Sequence, residues 1–500
     1  MIVIDFLLIV IVSYCFLILI KYILWAIRAA NMTANIPGPK PWPIIGNAAL
    51  FAKVKTGEDF YKILDNIYQE HTTPTNKMVK IWLGPKLVIG LGDSKHIEAI
   101  LSSPDALSKD IVYNIFGLIG NGLFVRNGQE WRDLRKPLDK LLTKKMIESN
   151  LEMFHEKAMK VCKVINKYAV NGQSFNFRHY ATNFSADTVT VSNFGYDLNE
   201  LEKEQYKLLE VFDKLEEHTV KMLVHVPNHF SSLYLNFSAS GRRVKDLARS
   251  YWNLSNKILQ KRIGDRKKQG EEIDEKPVFY SDVLIQKAKQ KALSLEDTGR
   301  LATDFLIAGF DTSAVTISYI MLMLAMYPEH QEAVYQEQVD ILGEDPEVAP
   351  TWEQLSKMKY LIKVIKEVMR LFCPLAILRK LTKDVELGEY KLPKGCSALV
   401  AFYSLHRDPD LWSHPHEFYP DHFSPEEISA RPKGAYFPFS WGPRSCPGSV
   451  YAMATNKIVV STVVRKYILE TDLTFDKLEY KFSLLLEVSQ GYMISIKPRN

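Results

Sequence analysis

Cysteine is scarce and scattered in this chain. Five cysteines occur among 500 residues, with no CxxC pair and no cluster of cysteine with histidine. A disulfide framework or a structural zinc site needs such groupings, so neither is expected, and a reducing compartment is the better prediction. The pattern favours a single functional cysteine. The five are Cys15, Cys162, Cys373, Cys396 and Cys446.

The net charge of the chain is also small. The formal net charge is +5 and is spread along the chain, which argues against a protein that binds nucleic acid. The hydrophobic share of 47% argues against global disorder, and the length suits one large or two ordinary domains. Internal repeats and long low-complexity tracts are absent from the sequence. Its function therefore has to be sought in local motifs.

The N-terminal region is the most apolar part of the chain. Residues 2–20 are almost wholly apolar, broken near the start by Asp5, and Lys21 and Arg28 follow the run. A helix of about 20 such residues spans the hydrocarbon core of a bilayer. A cleaved signal peptide would need a charged start and a small-residue cleavage site, and a mitochondrial leader would be rich in arginine and serine. We predict an uncleaved anchor over residues 1–28, and the positive charges after it place the remaining chain in the cytosol.

A proline-rich segment follows the anchor. Residues 36–47 read IPGPKPWPIIGN, and the four prolines and two glycines exclude a helix and favour a stiff, extended spacer. We therefore divide the chain into the anchor, a hinge over residues 29–47 and a catalytic domain over residues 48–500.

Beyond the hinge, the pattern is mainly helical. Residues 79–91 predict a β-hairpin with Gly84 and Pro85 at its turn, whereas most of residues 92–385 show apolar residues at helical spacing. Short strands and turns return after this region. The apolar segment 222–237 suits either a dip into a membrane or packing on its own domain.

The strongest local signal surrounds Cys446, in the stretch FPFSWGPRSCPGS. Phe439 stands seven residues before the cysteine and Gly442 four before; Arg444 lies two before and Gly448 two after. Glycines keep the backbone tight around one sulfur, and the arginine supplies a fixed cation. The proline directly after the cysteine suits the first position of a helix, whose N-terminus stabilises a thiolate. The loop can therefore present one thiolate to a metal without three further protein ligands.

This loop resembles the haem-binding loop of the cytochromes P450, in which a cysteine thiolate holds the haem iron. The resemblance spans about residues 36–497, with the motifs in family order. It implies the cytochrome P450 fold, mainly α with small β-sheet subdomains, behind a single N-terminal transmembrane helix. The stretches KYLIKVIKEVMRLF, RKLTKDVEL and PFSWGPRSCPG look closest to the animal clan that contains the fatty-acid ω-hydroxylases, in an insect-like version. The implied activity is that of a microsomal monooxygenase with haem b.

A second motif, AGFDTS at residues 308–313, lies inside an apolar stretch. An acid next to a hydroxyl costs free energy in such surroundings unless each has a partner. One reading is structural, with the threonine bonded back to its own helix and the aspartate in an ion pair. The family resemblance instead makes Thr312 and Asp311 catalytic: Gly309 permits a local opening of the helix, and the acid and the alcohol deliver the protons that O–O cleavage needs.

A third motif, EVMR, places Glu367 and Arg370 at i and i+3 on one helical face. Alone it would be an ordinary surface pair, but its position before the cysteine loop matches the family's ExxR motif. In FYPDHF, His422 stands where relatives commonly have an arginine that completes a triad. The resemblance assigns all three residues a structural role around the haem, and histidine could make the triad sensitive to pH.

A fourth motif, WRDLR, places Trp131 and Arg135 on one face of a helix. The resemblance assigns both to the haem propionates, and Arg379 and Arg444 are further candidates because guanidinium pairs bidentately with carboxylate. Together with Phe439 and the iron ligand Cys446, these residues form the implied cofactor site. A basic amphipathic surface helix is the alternative for the fourth motif.

Analogy also indicates a substrate pocket whose residues are mainly apolar, as a lipophilic substrate requires. Plain core packing is an equal alternative for each one. One residue departs from the pattern of the fatty-acid ω-hydroxylases. Many of these enzymes have glutamate where this chain has Ala308, and they esterify their haem through that glutamate. Covalent haem attachment at this position is therefore not expected, and strict hydroxylation of the terminal carbon is in doubt. The pocket candidates are Ile111, Phe116, Phe305, Ala308, Ala376, Ile377 and Val488.

Electrons must come from another protein, because no glycine-rich nucleotide fingerprint follows a predicted strand. The implied donor is NADPH-cytochrome P450 reductase, with cytochrome b5 as a possible second partner, and the implied location is the endoplasmic reticulum membrane. Two other classes remain open: a P450-like isomerase or dehydratase of oxygenated lipids, and a haem-binding protein without turnover. A basic group suits an acidic partner, although a solvated helix face is its alternative: Arg132, Lys136, Lys140, Lys144 and Lys145.

Overall fold

The computed structural model describes residues 2–118, 120, 122–203, 207–225, 231–268, 277–290, 292–374, 376–482 and 485–499. Helices dominate this part of the chain. They are α1 (Ile2–Met32), α2 (Gly57–His71), α3 (Ser94–Ser102), α4 (Gly128–Leu141), α5 (Lys144–Glu148), α6 (Leu151–Asn171), α7 (Arg178–Phe194), α8 (Glu200–Lys203), α9 (Lys207–His225), α10 (Ser231–Phe237), α11 (Ala239–Lys268), α12 (Tyr280–Lys289), α13 (Leu295–Met326), α14 (Pro328–Leu342), α15 (Trp352–Lys357), α16 (Lys359–Leu371), α17 (Phe402–Leu405), α18 (Pro425–Ala430) and α19 (Ser449–Lys466).

The strands are short and form small sheets. They are β1 (Met78–Leu83), β2 (Lys86–Leu91), β3 (Ser108–Lys109), β4 (Phe175–Asn176), β5 (Ile377–Lys380), β6 (Val385–Leu387), β7 (Tyr390–Leu392), β8 (Ser397–Val400), β9 (Tyr467–Glu470), β10 (Tyr480–Phe482), β11 (Leu486–Val488) and β12 (Met493–Pro498). The largest sheet has the order β1-β2-β8-β5-β3, and a second has the order β4-β12-β9. The pairs β6-β7 and β10-β11 are separate hairpins.

The predicted hairpin at residues 79–91 is confirmed. Strands β1 and β2 pair antiparallel with Leu83 opposite Lys86, and Gly84 takes a positive φ of 57° at the turn. Glycine adopts this conformation without the steric cost that a side chain would bring. Strands also begin earlier than expected, since β5 starts at Ile377.

Helix α13 is the centre of the helical body. Ser294 caps its N-terminus by accepting a hydrogen bond from the Asp297 amide at 3.0 Å. The helix packs against α7, α11 and α19, and its side chains belong to a large apolar core. A second core lies under the β1-β2-β8-β5 sheet and includes Ala29 at the end of α1.

Among the described residues, two helical segments are long and apolar enough to cross a membrane: Ile4–Met32 and Glu296–Met326. The most apolar window of the second is 72% buried, so it is a core helix of the folded body. The corresponding window of the first is 0% buried, with a mean hydropathy of 2.7. Membrane anchoring is therefore indicated for the N-terminal helix alone.

The hinge differs from the extended spacer that the prolines predict. Helix α1 continues to Met32, and the segment after it is held against β1: the Lys80 amide donates to the Pro37 carbonyl at 2.7 Å, and Gly46 forms a β-bridge with Leu83. Proline removes only its own N–H donors, so its carbonyl oxygens stay free to bond the sheet edge. Of the apolar segment 222–237, residues 226–230 lie outside the described residues, and the rest continues α9 and forms α10.

Candidate active site

The loop around Cys446 is held by a few specific contacts. The Cys446 amide donates to the Phe439 carbonyl at 2.9 Å, and Arg135 on α4 donates from Nη1 to the Ser445 carbonyl at 2.6 Å. Gly442 has a φ of 72°, and a Cβ there would lie 2.2 Å from the Leu101 carbonyl oxygen. Glycine is therefore required at this position both by the backbone conformation and by the close approach of α3.

The helix after the cysteine begins later than predicted. Helix α19 starts at Ser449 with Gly448 as its N-cap residue, so Pro447 precedes the helix and does not occupy its first position. The expectation of a helix starting at the cysteine is wrong, because Pro447 and Gly448 form a turn before the first helical bond, from Ala452 to the Gly448 carbonyl.

The Cys446 sulfur lies in a confined place. Its side chain is accessible, unlike those of Cys162, Cys373 and Cys396, which are buried. Burial among protein atoms nevertheless raises the pKa of the Cys446 thiol, while a hydrogen bond from the Gly448 amide and the positive charge of Arg135 act to lower it. An accessible side chain in a desolvated position is one that faces an internal cavity.

One stripe of α13 has the same character. Ala308 and Thr312 are accessible and Thr316 is half-buried, although the helix around them is mostly buried. Residues four apart lie on one helical face, so we infer from their accessibility that this stripe borders a cavity. The Thr312 hydroxyl donates to the Ala308 carbonyl at 2.9 Å, and α13 packs on α19, the helix that follows Cys446.

Asp311 points elsewhere. It is buried and accepts a hydrogen bond from Arg178 Nη2 at 3.0 Å, and the same guanidinium bonds Glu487. Burial raises the pKa of Asp311 to about 7, with Arg178 opposing the rise and the negative charges of Glu487 and Asp213 adding to it. Both contacts of the structural alternative, the ion pair and the bonded threonine, are thus present. Sequence reasoning missed Arg178 and Glu487, which come from distant elements.

A group of buried cations borders the same region. Lys109 is 9% exposed and Arg379 2% exposed, and the two residues stand directly opposite each other in the β3–β5 pair. Burial and then Arg379 hold the pKa of Lys109 well below its ordinary value. Burial and then Arg379 and Arg135 lower the pKa of Arg444 to about 9. We call Lys109, Arg379 and Arg444 the cation group.

Among the described residues, these cations have no ion-pair partner. No described carboxylate lies within ion-pair distance of Lys109, Arg379 or Arg444, although the negative charge of Asp304 on α13 acts on Lys109 from a longer distance. Arg379 Nη1 and Arg444 Nε are buried without a hydrogen-bond partner. Like charges directly opposite in a sheet destabilise it, and a buried unpaired charge is costly. The cation group would therefore suit an anionic ligand, and the two carboxylates of a haem are groups of that kind.

The residues predicted to bind the haem propionates differ in the partners that they contact. Arg444 stacks on Trp131, 4.2 Å from the ring centroid, and donates to the Arg126 carbonyl and to Asn127. Arg135 donates from Nε to Asp139 at 2.7 Å, so its charge is already matched. Lys109 was missed, because a lone lysine in a two-residue strand carries no motif; its only sequence signal is a cation beside an apolar segment.

The Glu367–Arg370 pair is bidentate, with distances of 2.8 and 2.7 Å, and both side chains are fully buried. His422 Nδ1 lies 3.1 Å from Glu367 Oε1, and its Nε2 accepts from the His414 amide at 3.2 Å. Nδ1 is therefore the protonated nitrogen, and His422 is a neutral donor to the carboxylate.

The residues predicted to line the substrate pocket differ in how deeply they are buried. Ala308 and Ile111 are accessible, and Ala376 and Ile377 are half-buried. Phe116 packs against Phe124, with ring centroids 5.3 Å apart. Phe305 is half-buried and packs against Tyr280 at a tilt and against Phe194 edge to face. Val488 is 2% exposed and lies in the main core, because the β10–β11 hairpin turns it inward, so it does not border the cavity here.

Comparison with known proteins gives a consistent result. The sequence model of the cytochrome P450 family matches residues 36–496. Cytochrome P450 4V2 of Mus musculus is 28% identical over 487 residues, which cover 95% of this chain and 91% of that protein. Cytochrome P450 4g1 of Drosophila melanogaster is 28% identical over 511 residues, covering 94% and 90%. These similarities to vertebrate and insect proteins confirm the resemblance to the animal clan that the motifs indicated.

Proposed function

This chain belongs to the cytochrome P450 family, a family of haem monooxygenases, and we propose that it inserts one oxygen atom of O2 into a lipophilic substrate with electrons from NADPH-cytochrome P450 reductase. The observation that carries the proposal is the joint placement of three features. Cys446 lies two residues after Arg444, whose charge acts together with those of Arg379 and Lys109. The helix that follows the cysteine packs on α13, which carries the accessible stripe.

Cys446 would hold the haem iron through its thiolate, and the cation group, with Trp131 and Arg135, would hold the propionates. When bound, haem b supplies the activation of dioxygen. The Gly448 amide would stabilise the thiolate form of Cys446, and the positive charge of Arg135 acts in the same direction. Ala308 leaves no carboxylate on the helix for a covalent link to the haem, so a non-covalent cofactor is part of the proposal.

Thr312 and Asp311 are proposed to handle protons. One oxygen atom enters the substrate and the other leaves as water, which requires two electrons and two protons. The Thr312 hydroxyl borders the cavity and can pass a proton at Oγ1 once it leaves the Ala308 carbonyl. With a pKa of about 7, the Asp311 carboxyl can hold and release a proton near neutrality. Delivery then requires Asp311 to turn away from Arg178 or to act through water.

The substrate is proposed to be apolar: a fatty acid, a hormone-like lipid or a foreign lipophilic compound. The accessible residues around the α13 stripe are apolar, with Ile111, Ala308 and the Phe116–Phe124 pair among them. Such a lining favours substrates that leave water readily. The absence of glutamate at position 308 removes one argument for strict terminal hydroxylation.

The reductase is proposed to bind near α4 and α5. Arg132, Lys136 and Lys140 are exposed on α4, and Lys144 and Lys145 are exposed on α5. Arg135 ties α4 to Ser445, and α5 packs on α19, so these cations lie on the side of Cys446. An acidic flavoprotein surface would be attracted there, and cytochrome b5 is a second partner of the same charge.

The membrane is proposed to be that of the endoplasmic reticulum, with the catalytic domain (residues 48–500) in the cytosol. The N-terminal helix supports an anchor, and Lys21 and Arg28 after the apolar run favour a cytosolic body.

The test is an optical titration of the purified ferric protein with medium- and long-chain fatty acids. A shift from low to high spin would show that the acid enters the cavity and displaces water from the iron. No shift, in protein whose reduced carbon monoxide complex still has the spectrum of thiolate ligation, would exclude fatty acids and favour the other lipophilic classes. NADPH consumption with reductase then separates a monooxygenase from an isomerase, a dehydratase or a haem-binding protein without turnover.

A further inference from the structure

Asn127 joins two of the three cations of the cation group. Its Oδ1 accepts from the Lys109 amide at 2.7 Å and from Arg444 Nη2 at 3.0 Å, while its Nδ2 donates to the Lys109 carbonyl at 3.3 Å. An amide side chain supplies both the acceptor and the donor that this arrangement needs. One side chain therefore holds a backbone unit and a guanidinium that come from distant parts of the chain.

The place of Asn127 in the chain shows that these contacts are not those of an ordinary helix cap. Asn127 is the N-cap residue of α4, where asparagine normally accepts a hydrogen bond from one of the first helical amides. The Asn127 side chain makes no such bond with α4. Its hydrogen-bonding groups are used on Lys109 and Arg444 instead, so its contribution lies outside the helix that it begins.

The ammonium group of Lys109 lies on two aromatic rings. Nζ is 4.3 Å from the centroid of the Tyr113 ring and 4.8 Å from that of the Phe124 ring. A desolvated cation is attracted to such ring faces, but a carboxylate that accepts a charge-assisted hydrogen bond is the stronger partner. A carboxylate ligand that reaches Nζ would therefore compete with the two rings for it.

These rings belong to the apolar wall that the pocket candidates form. The Tyr113, Phe116 and Phe124 rings pack together, with centroids 5.2 to 6.0 Å apart. The Tyr113 hydroxyl accepts from the Leu378 amide of β5 at 3.1 Å, which fixes the trio against the sheet. The position of the Lys109 ammonium thus affects the wall on which an apolar substrate would pack.

The same segment also contacts the central helix. The Phe124 amide donates to Asp304 Oδ2 at 3.4 Å. A Cβ at Gly120 would lie 2.5 Å from the Asp304 Cβ, and one at Gly122 would lie 2.5 Å from Oδ2, so this part of the chain lies directly on α13. Asp304 stands one helical turn before the accessible stripe. We call the described part of residues 109–127, which connects the cation group with α13, the bridging segment.

We propose that Asn127 is a positioning residue that fixes Lys109 and Arg444 for the carboxylates of the haem, and that the bridging segment couples those carboxylates to binding in the substrate pocket. The inference rests on the proposed function, in which the cation group holds the haem propionates. Its two-state element is the Lys109 ammonium, which lies either on the rings or on a carboxylate.

The sign of the coupling follows from the cost of covering a charge. Phe124 is 41% exposed, so an apolar ligand that packs on this ring would also cover the ammonium beside it. Covering an unpaired charge costs free energy, and a carboxylate that pairs with Lys109 removes that cost. Linkage then requires the haem carboxylates and the apolar ligand to strengthen each other's binding by the same factor.

The experiment uses the full-length protein loaded with haem or with haem dimethyl ester, in which both carboxylates are uncharged. Two iron-binding probes are titrated optically: phenylimidazole, whose phenyl ring has to enter the apolar pocket, and imidazole, which lacks that ring. The variants are Asn127→Ala and Asn127→Asp. Asn150→Ala is the matched control, since Asn150 is the N-cap residue of α6, makes no cap bond either, and donates to the Met146 carbonyl.

In wild type and Asn150→Ala, we expect the Kd of phenylimidazole to be about fivefold or more higher in the ester-loaded protein than in the haem-loaded protein. The Kd of imidazole should be nearly equal in the two forms. In Asn127→Ala the phenylimidazole ratio should fall toward one, because the cations are no longer fixed. It should also fall in Asn127→Asp, because the new carboxylate pairs with Arg444. A residue that only stabilised the fold would affect both cofactor forms alike and leave the ratio unchanged.

A phenylimidazole ratio near one in wild type would overturn the coupling. The wild-type ratio in the Asn127 variants would overturn the positioning role of Asn127, and if Asn127→Ala takes up no haem, Asn127→Asp decides this point. A haem-loaded wild type whose reduced carbon monoxide complex lacks the spectrum of thiolate ligation would instead contradict the proposed function.

Discussion

Two groups of charged residues lie inside the protein, and they differ in what surrounds them. The first consists of Glu367, Arg370 and His422, and we call it the balanced group. The second is the cation group of Lys109, Arg379 and Arg444. In the first, the donors of Arg370 are used by Glu367 and by the carbonyls of His406, Pro415, His414 and Glu417. In the second, two guanidinium nitrogens are buried without a partner.

Burying a charge costs free energy in both places, and the cost has to be offset by partners. The balanced group finds them within the chain, so it contributes to folding. In the cation group, Arg444 bonds the Arg126 carbonyl and Asn127, but none of the three cations has a carboxylate within ion-pair distance among the described residues, so we propose that a ligand supplies the opposite charge. We therefore propose that the cation group, with its lack of a paired carboxylate, marks the cofactor site.

The largest expected effect is on the balanced group. Arg370→Ala leaves the Glu367 carboxylate buried without its bidentate partner, and removing one member of a buried pair costs about 3–5 kcal/mol. We expect a loss of this order in the free energy of unfolding, measured by urea titration, and poor incorporation of haem.

Lys363→Ala on the same helix is the matched control. Lys363 pairs with Asp421 at 2.8 Å in a partly exposed position, so its loss should cost about 1 kcal/mol or less. Equal losses for the two variants would mean that burial does not distinguish these pairs.

A smaller effect concerns acid sensitivity at His406, whose carbonyl accepts from Arg370. The buried Nε2 accepts from the Phe437 amide at 3.0 Å, and burial, then Arg370 and Arg407, lower the pKa of His406 to about 3. The unfolded chain takes up this proton near pH 6.5, so stability is complete above that pH and falls as the pH drops toward 3. The fall is about 1.4 kcal/mol per pH unit.

His406→Gln keeps an acceptor but cannot be protonated, so the variant should lose this part of the slope when unfolding is measured from pH 7 to pH 4. The same substitution at the half-buried, surface-accessible His71 is the control. An unchanged slope in His406→Gln would show that the buried imidazole already carries a proton in the folded protein.

The smallest expected effect on stability comes from replacing a cation that has no ion-pair partner but is exposed to solvent. Lys140 is exposed on α4, so Lys140→Glu should change the free energy of unfolding by less than about 0.5 kcal/mol. It should nevertheless slow haem reduction by the reductase several-fold at low ionic strength, with the difference shrinking as salt is added. Stopped-flow reduction measures this, and a rate equal to wild type at low salt would remove α4 from the partner surface.

The sequence predicted the features that depend on short spacing. The hairpin at β1 and β2, the Glu367–Arg370 pair and the tight loop around Cys446 each involve residues within a few positions of one another. Local conformation and helical periodicity are sufficient for these.

The features that the sequence did not predict depend on contacts between distant residues. Lys109 meets Arg379 only because β3 pairs with β5, and Arg178 meets Asp311 only because α7 packs on α13. The docking of the hinge on β1 was missed for the same reason, since prolines describe the local backbone and not the surface that receives it. The position of Pro447 was wrong because a turn intervenes before α19.

Binding of the haem carboxylates by the cation group is the central proposal. It is tested by measuring the transfer of haem, and of haem dimethyl ester, from the protein to an acceptor protein, in wild type, Lys109→Met and the exposed control Lys140→Met. We predict that wild type and Lys140→Met release the uncharged ester faster than haem by about tenfold or more, which corresponds to about 1.4 kcal/mol, and that Lys109→Met shows a clearly smaller ratio. The same ratio in all three proteins would contradict the claim.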